Sequence, residues 1–176
     1  MINYWIFTTA LGDACIVAGE KGIKRLVLPG WDREKIKDYI FDQHEGAAPG
    51  AKPEPENVKE AMNFVKNFLE GALKKNSAAL DLSDLREFQK KVLAAVARIE
   101  PGQTQSYAWV AEQAGSKKAV RAAAQAIARN PLPLFIPCHR VIGKDGSLTG
   151  FSAPSGLKLK KYLLEMERKF GRKKAV

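Results

Sequence analysis

Lys117-Lys118-Ala119-Val120-Arg121-Ala122-Ala123-Ala124-Gln125-Ala126-Ile127-Ala128-Arg129 is the stretch on which the reading of this chain turns. Alanine is the strongest helix former, so residues 117–129 are predicted to be helical. Upstream, Gly115 separates this helix from a shorter one that Ser106 can cap and that runs to Gln113. Before that, Asp84-Leu85-Arg86-Glu87 has the form of a capping box, and Leu85, Phe88, Val92, Val96 and Ile99 fall on one apolar face, predicting a helix over 84–99 that Pro101-Gly102 ends. Helix, short glycine-containing turn, helix is the helix-turn-helix pattern. Two readings of the alanine-rich helix stand side by side. It packs closely on its neighbours, or its small side chains let it approach a nucleic-acid groove while Arg121, Lys117 and Lys118 meet phosphates at an end that already attracts anions.

The first half reads differently. From Tyr4 to Leu28, short apolar runs broken at Leu11-Gly12-Asp13 and Gly19-Glu20-Lys21-Gly22 predict an antiparallel meander. Asp32 is placed to cap a helix to about Phe41, and residues 45–55 have no apolar period and several helix breakers, so they are expected to form a loop. Val58, Met62, Val65, Phe68 and Leu69 recur at helical spacing up to Gly71, followed by a short strand near residues 80–82. The chain is therefore divided into a small α/β domain over 1–80, with no chemistry of its own, and a second domain over 81–176.

Composition sets bounds on function. The 176 residues are 45% hydrophobic and 27% charged, as in an ordinary globular protein, and 29 Lys and Arg against 19 Asp and Glu give +10, which favours a polyanionic partner such as nucleic acid. No apolar run is long enough for a membrane span, and the N-terminus lacks the layout of a signal peptide, so a cytoplasmic protein without a membrane partner is expected. Cys15 and Cys138 are expected to be free thiols. With His44 and His139 the only histidines, a structural metal site would need every Cys and His in the chain, and none is expected.

The most chemically loaded stretch is Ile136-Pro137-Cys138-His139-Arg140-Val141. A thiolate is a strong nucleophile whose pKa falls beside a cationic His or Arg, so Cys138 is either a reactive thiol or a buried, inert one. As a Cys-His hydrolase dyad the pair is unusual, because such partners normally come from distant positions and need an orienting third group.

Ser106-Tyr107, Arg121 within the alanine-rich helix, Asn130-Pro131, Pro137-Cys138-His139-Arg140-Val141 and Gly150-Phe151-Ser152 together resemble, in order and spacing, the O6-alkylguanine-DNA alkyltransferase family. The resemblance spans roughly residues 84–170; the first half is similar only in layout. It implies a small antiparallel sheet with helices, ribonuclease H-like, followed by a mainly α winged helix-turn-helix domain. It also implies a monomer that needs no cofactor and repairs O6-methylguanine, and to a lesser degree O4-methylthymine, in double-stranded DNA. The nucleotide is flipped from the minor-groove side and its alkyl group moves irreversibly to the protein's own cysteine. A damage sensor that flips the base without repairing it is the alternative; such relatives replace the cysteine, and Cys138 argues against it.

By the same resemblance Cys138 is the acceptor, His139 acts on it through a bound water, and Glu167 orients His139; Glu165 competes for that role. Asn130 resembles the hinge asparagine that braces the cysteine segment, beside the reading as a plain helix C-cap. Tyr107 resembles the tyrosine that donates to the purine N3 and crowds the 3′ phosphate, and Arg121 the arginine that enters the stack. The backbone carbonyls of Cys138 and Val141, the Ser152 N–H and the Phe151 ring are implied as the purine pocket. Ser116, Lys117, Ala122 and Gln89 complete the expected DNA-binding set with Arg121 and Tyr107. Two departures are visible. Phe151-Ser152-Ala153-Pro154-Ser155-Gly156 is longer and stiffer than the family's usual pocket rim, leaving tolerance for bulky adducts open, and of the N-terminal zinc ligands of some relatives only Cys15 and His44 could be present. The cysteine-rich regulatory domain of adaptive-response members is also absent, so no transcriptional role is expected. The basic run Arg168-Lys169-Phe170-Gly171-Arg172-Lys173-Lys174 is read as a solvated helix end or a phosphate contact.

Overall fold

A computed structural model describes residues 1–73 and 75–171; the part of the basic tail beyond residue 171 lies outside them. The chain divides into two compact units, Met1–Ser83 and a second beginning at Asp84.

The first unit is built on β1 (Asn3–Thr9), β2 (Gly12–Gly19) and β3 (Gly22–Val27), an antiparallel meander joined by the two predicted turns. The sheet is not purely antiparallel. Within the stretch read as loop, β4 (Ala48–Pro49) pairs parallel with β1, giving the order β3-β2-β1-β4 and a small mixed sheet. Two residues ending in proline carry no strand period, so only tertiary pairing reveals this one. Between β3 and β4, α1 (Arg33–Gln43) starts at Asp32, whose carboxylate accepts from Lys35 N at 2.8 Å. Ile36 and Ile40 of α1 pack with Tyr4, Cys15, Val17 and Val27 in one buried cluster. Helix α2 (Glu56–Leu69) also lies on the sheet, burying Val58, Ala61, Val65, Phe68 and Leu69 and contacting β1, β2 and β3.

Residues 79–83 close this unit. Ile23 N donates to Ala79 O at 2.9 Å, Asp81 N to Ile23 O at 2.8 Å, and the Asp81 carboxylate meets Lys24 Nζ at 3.0 Å. The strand read at 80–82 is thus one parallel bridge, between Ile23 and Leu80.

The second unit contains α3 (Glu87–Ala97), β5 (Gln105–Ser106), α4 (Tyr107–Gln113), α5 (Val120–Ala128), a 3₁₀ turn (Cys138–Arg140), β6 (Val141–Ile142) and α6 (Gly156–Gly171). Helices α3, α4 and α5 contact one another pairwise through buried Val92, Val96, Val110, Ala111, Ala123 and Ile127. Two expected boundaries move. Asp84 does not cap α3; the helix begins later, with Arg86 at the N-cap, and the first helical bond runs from Lys90 N to Arg86 O at 3.0 Å. Lys117 and Lys118 form a turn closed by Ala119 N to Ser116 O at 2.9 Å, and α5 starts only at Val120. The basic pair therefore precedes the helix instead of opening it. Ser106 caps α4 as read, accepting from Trp109 N at 3.1 Å. β5 and β6, which sequence reasoning missed, pair in parallel, Gln105 with Val141 and Ser106 with Ile142. No helix among the described residues is long and apolar enough to cross a membrane.

Gly22 has φ +141°, and a Cβ there would sit 2.5 Å from Ala79 O. Gly22→Ala is therefore expected to destabilise the protein by about 2 kcal/mol or more, through strain and loss of the Ile23 bridge. A urea titration checks this; an unmoved midpoint would show that residues 79–81 do not hold β3.

Candidate active site

The segment that delivers Cys138 leaves the end of α5 and turns back through Asn130 and three prolines. Arg129, not Asn130, is the C-cap, its N–H reaching Gln125 O and Ile127 O. The Asn130 side chain is used elsewhere. Its Nδ2 donates to Ile136 O at 2.8 Å and its Oδ1 accepts from Leu132 N at 3.0 Å, so one amide closes the 130–136 loop from inside. Within that loop, buried Leu134 has φ +69°, a conformation that costs a side-chain-bearing residue about 1 kcal/mol or more. The surrounding bonds hold it there. The chain then enters the 3₁₀ turn, with Cys138 N donating to Ile136 O at 2.8 Å and Arg140 N to Pro137 O at 2.9 Å.

Cys138 is 7% exposed. Burial pushes its thiol above the ordinary value, opposed by a hydrogen bond from Asn130, the charge of Lys160 and the backbone N–H groups of Cys138 and His139. The sulfur is enclosed, but its surroundings are polar and positive.

His139 and Arg140 are buried as well, and both turn to Glu167 of α6. His139 Nε2 lies 2.9 Å from Glu167 Oε1; Arg140 Nε reaches Oε1 at 3.1 Å and Oε2 at 3.0 Å, and its Nη2 reaches Oε1 at 2.7 Å. Gly102 N donates to Oε2 at 3.0 Å, and Arg140 Nη1 donates to Ile99 O at 2.5 Å. Burial raises the Glu167 carboxyl, but the hydrogen bonds and charges of His139 and Arg140 outweigh it and hold it at about 2. Burial pushes His139 below its ordinary value, more than Glu167 pulls it up. A neutral imidazole facing an ionised carboxylate must donate from Nε2, which leaves the lone pair on Nδ1. The sequence offered His139 and Arg140 as cationic neighbours of the thiol and, by the family likeness, His139 as its base; burial disfavours charge on His139, and Arg140 is paired with Glu167.

The cation beside the thiol is one that sequence reasoning overlooked. Lys160 is fully buried on α6, and its Nζ donates to Val141 O and Thr149 O, both at 2.7 Å, with Gly150 O at 3.5 Å. Burial lowers it to about 8, with the Cys138 charge acting upward. The available signal was a period: Lys160 and Glu167 are seven residues apart and share a face of α6 with apolar Leu163 and Leu164, where charged residues need partners. Glu165, the competing carboxylate, is exposed and pairs with Lys161 at 4.0 Å.

The remaining sequence-derived residues lie around this group. The β5–β6 pairing ends with Ser106 opposite Ile142, and Tyr107, first residue of α4, follows directly. The Tyr107 hydroxyl donates to Thr149 O at 3.3 Å and lies 3.3 Å from Thr149 Oγ1. Ser152 is exposed, and its hydroxyl donates to Ala128 O at the end of α5; Phe151 is half-buried. Arg121 and Ala122 sit side by side on the exposed face of α5, opposite buried Ala123, Ala126 and Ile127. Ser116 and Lys117 belong to the preceding turn, with Lys117 3.6 Å from Glu112. Gln89, on α3, donates to Arg129 O at 3.2 Å. Charge is uneven: residues from 84 onward carry 18 Lys and Arg against 7 Asp and Glu, whereas residues 1–83 carry 11 against 12. Among the described residues, no three His, Cys, Asp or Glu side chains are grouped to hold a metal ion.

Residues 87–169 match the family described as 6-O-methylguanine DNA methyltransferase, DNA binding domain. The chain is 39% identical to the constitutive methylated-DNA–protein-cysteine methyltransferase of Bacillus subtilis, over 95% of this chain and 96% of that one. Among solved structures, it is similar to the Mycobacterium tuberculosis OGT in complex with DNA, with TM-score 0.76 and 29% identity, covering 96% of this chain and 94% of that one. It is also similar to an O6-methylguanine DNA methyltransferase from Methanococcus jannaschii, with TM-score 0.68, 34% identity and 93% of each chain covered.

The Glu167 carboxyl is depressed from an ordinary 4.5 to about 2, so its stabilisation is complete above pH 4.5 and lost as pH falls towards 2. Wild type is expected to lose on the order of 3 kcal/mol across that window. Glu167→Gln should lack this loss, yet be less stable at pH 7 by about 3 kcal/mol, because Arg140 keeps a buried charge without its partner. Denaturant titrations at pH 7, 4.5 and 3 check both signs.

Proposed function

The chain belongs to the methylated-DNA–protein-cysteine methyltransferase family, and we propose that it repairs O6-methylguanine, and to a lesser degree O4-methylthymine, in double-stranded DNA by moving the alkyl group to Cys138. The reading rests above all on one observation: Cys138 adjoins His139, whose Nε2 lies 2.9 Å from Oε1 of buried Glu167. That arrangement takes a proton from a thiol and stabilises the imidazolium formed.

The Cys138 proton passes through one water to Nδ1 of His139. The sulfur attacks the methyl carbon in line with the departing oxygen; an S–C bond forms, the C–O bond breaks, and guanine leaves as its anion with the electron pair and is then protonated, the proton given up by the thiol making up the balance. A thioether is not hydrolysed, so each molecule acts once.

The target atom of a stacked base is out of reach, so the nucleotide must be extruded at a cost of a few kcal/mol. Helices α4 and α5 act as the helix-turn-helix of a winged domain, with α5 in the minor groove. The excess of basic residues from 84 onward supports phosphate binding. Arg121 enters the stack, Ala122 lets the helix approach closely, and Lys117, Ser116 and Gln89 stand at the backbone. Tyr107 donates to the purine N3, while the Cys138 and Val141 carbonyls, the Ser152 N–H and Phe151 receive the base. Asn130 braces the acceptor segment. The protein works as a monomer in the cytoplasm.

Incubation with duplex carrying O6-[methyl-³H]methylguanine should label Cys138 one-to-one, as read by mass spectrometry of the peptide; label retained on DNA at excess protein would reject the reading. His139→Ala should slow transfer by about 10²-fold or more with little change in DNA affinity. Arg121→Ala should slow extrusion, followed with a fluorescent base analogue. Equal loss of DNA affinity in both variants would overturn this division of roles.

A further inference from the structure

Lys160 is a buried ammonium whose hydrogen-bond acceptors are neutral carbonyls: Val141 O and Thr149 O at 2.7 Å and Gly150 O at 3.5 Å. Among the described residues no carboxylate pairs with it, in contrast to buried Arg140, which has Glu167. Three acceptors match the three N–H bonds of an ammonium, so its hydrogen bonding is met while its charge is not. Burying such a charge costs several kcal/mol, and a neutral amide could fasten the same carbonyls more cheaply. A group nearby that becomes negative would offset that cost.

The geometry restricts what that can be. Lys160 and Glu167 project from one face of α6 onto the turn 138–141, Glu167 to His139 and Arg140, Lys160 to Val141 three residues after the thiol. The titratable groups around it are the Cys138 thiol and the His139 imidazole, with Glu167 and Arg140 behind the latter; Glu167 is already matched by Arg140. Its carbonyl partners Thr149 and Gly150 begin the stretch whose residue 149 also holds the Tyr107 hydroxyl.

We propose that Lys160 is a positioning residue of the alkyl transfer: it fastens residues 149–150 to Val141 and, by its charge, favours the thiolate of Cys138. This deepens the reading of the chain as an alkyltransferase and rests on it for the transfer step. The mutual attraction of the Cys138 and Lys160 charges points the same way.

The test compares wild type with Lys160→Met and Lys160→Arg. Iodoacetamide alkylation of Cys138, located by mass spectrometry and followed from pH 5 to 10, reports thiol ionisation without DNA. Lys160→Met is expected to move the midpoint of this profile upward and to slow alkylation at pH 7 at least tenfold, while Lys160→Arg keeps most of the wild-type rate. In single-turnover transfer from O6-methylguanine duplex, the Met variant should lose rate at saturating DNA, with the half-saturating concentration little changed. A midpoint identical to wild type, with only the melting temperature lowered, would reduce Lys160 to a structural anchor and overturn the proposal. Should Lys160→Met not fold, ¹⁵N NMR titration of the Lys160 ammonium in wild type and Cys138→Ser decides: its midpoint is expected to fall in the serine variant, and an unmoved midpoint overturns the proposal. Absence of methyl transfer by wild type would refute the alkyltransferase reading instead, and the iodoacetamide profile would still decide the charge effect.

Discussion

A carboxylate taken out of water has to be repaid in hydrogen bonds, and Glu167 is the place where this unit does so. It receives His139, Arg140 and the Gly102 N–H. Those three donors come from the cysteine turn and from the turn that ends α3, so one side chain of α6 sets the spacing of three elements. Arg140 extends the connection to Ile99 O. Removal of any member leaves a buried charge or donor exposed to nothing, which makes the arrangement cooperative. The orientation of His139, and with it the position of the Nδ1 lone pair, follows from this packing.

The two cysteines show what the environment adds. Cys15 lies in the sheet of the first unit, where burial pushes it up to about 12 with only a backbone hydrogen bond opposing. It is a packing residue. Cys138 is just as enclosed, yet burial is opposed there by an amide, an ammonium and two backbone N–H groups. Burial alone would keep such a thiol protonated, and these four groups act in the opposite direction. Exposure alone would give reactivity without that restraint.

Much of this was legible in the chain. Asp32 and Ser106 announce α1 and α4 because a cap is a local interaction, complete within four residues. Periodicity gave the meander and α2. The acidic partner of His139 came through the family likeness, with Glu165 left in competition until burial on α6 separated them. What stayed hidden is non-local. β4, β5 and β6 are two residues each, too short for any period, and exist because tertiary contacts align them. Asp84 has the right spacing for a capping box, but the helix starts after Arg86, and pattern cannot say which of several permitted starts packing selects. Likewise Lys117 and Lys118 are good helix formers placed in a turn. Arg140 read as a neighbour of Cys138 by adjacency, whereas a 3₁₀ turn points it elsewhere.

Hydrogen bonds also link the parts assigned to DNA with the parts assigned to chemistry. Thr149 is shared: its carbonyl accepts from both Tyr107, at the start of α4, and Lys160, whose ammonium also holds Val141. Three residues on, Ser152 donates to the last carbonyl of α5. The segment beginning at residue 149 is thus tied to the first residue of one helix of the pair, to the final turn of the other, and to the strand that follows Cys138. A purine that takes the Tyr107 hydroxyl as donor removes one of these ties, since that hydroxyl has a single proton to give. The bond from Thr149 Oγ1 to the Tyr107 oxygen does not use that proton, so the hydroxyl and residue 149 stay linked. Pro154, with its fixed φ, restricts the backbone between Ser152 and α6.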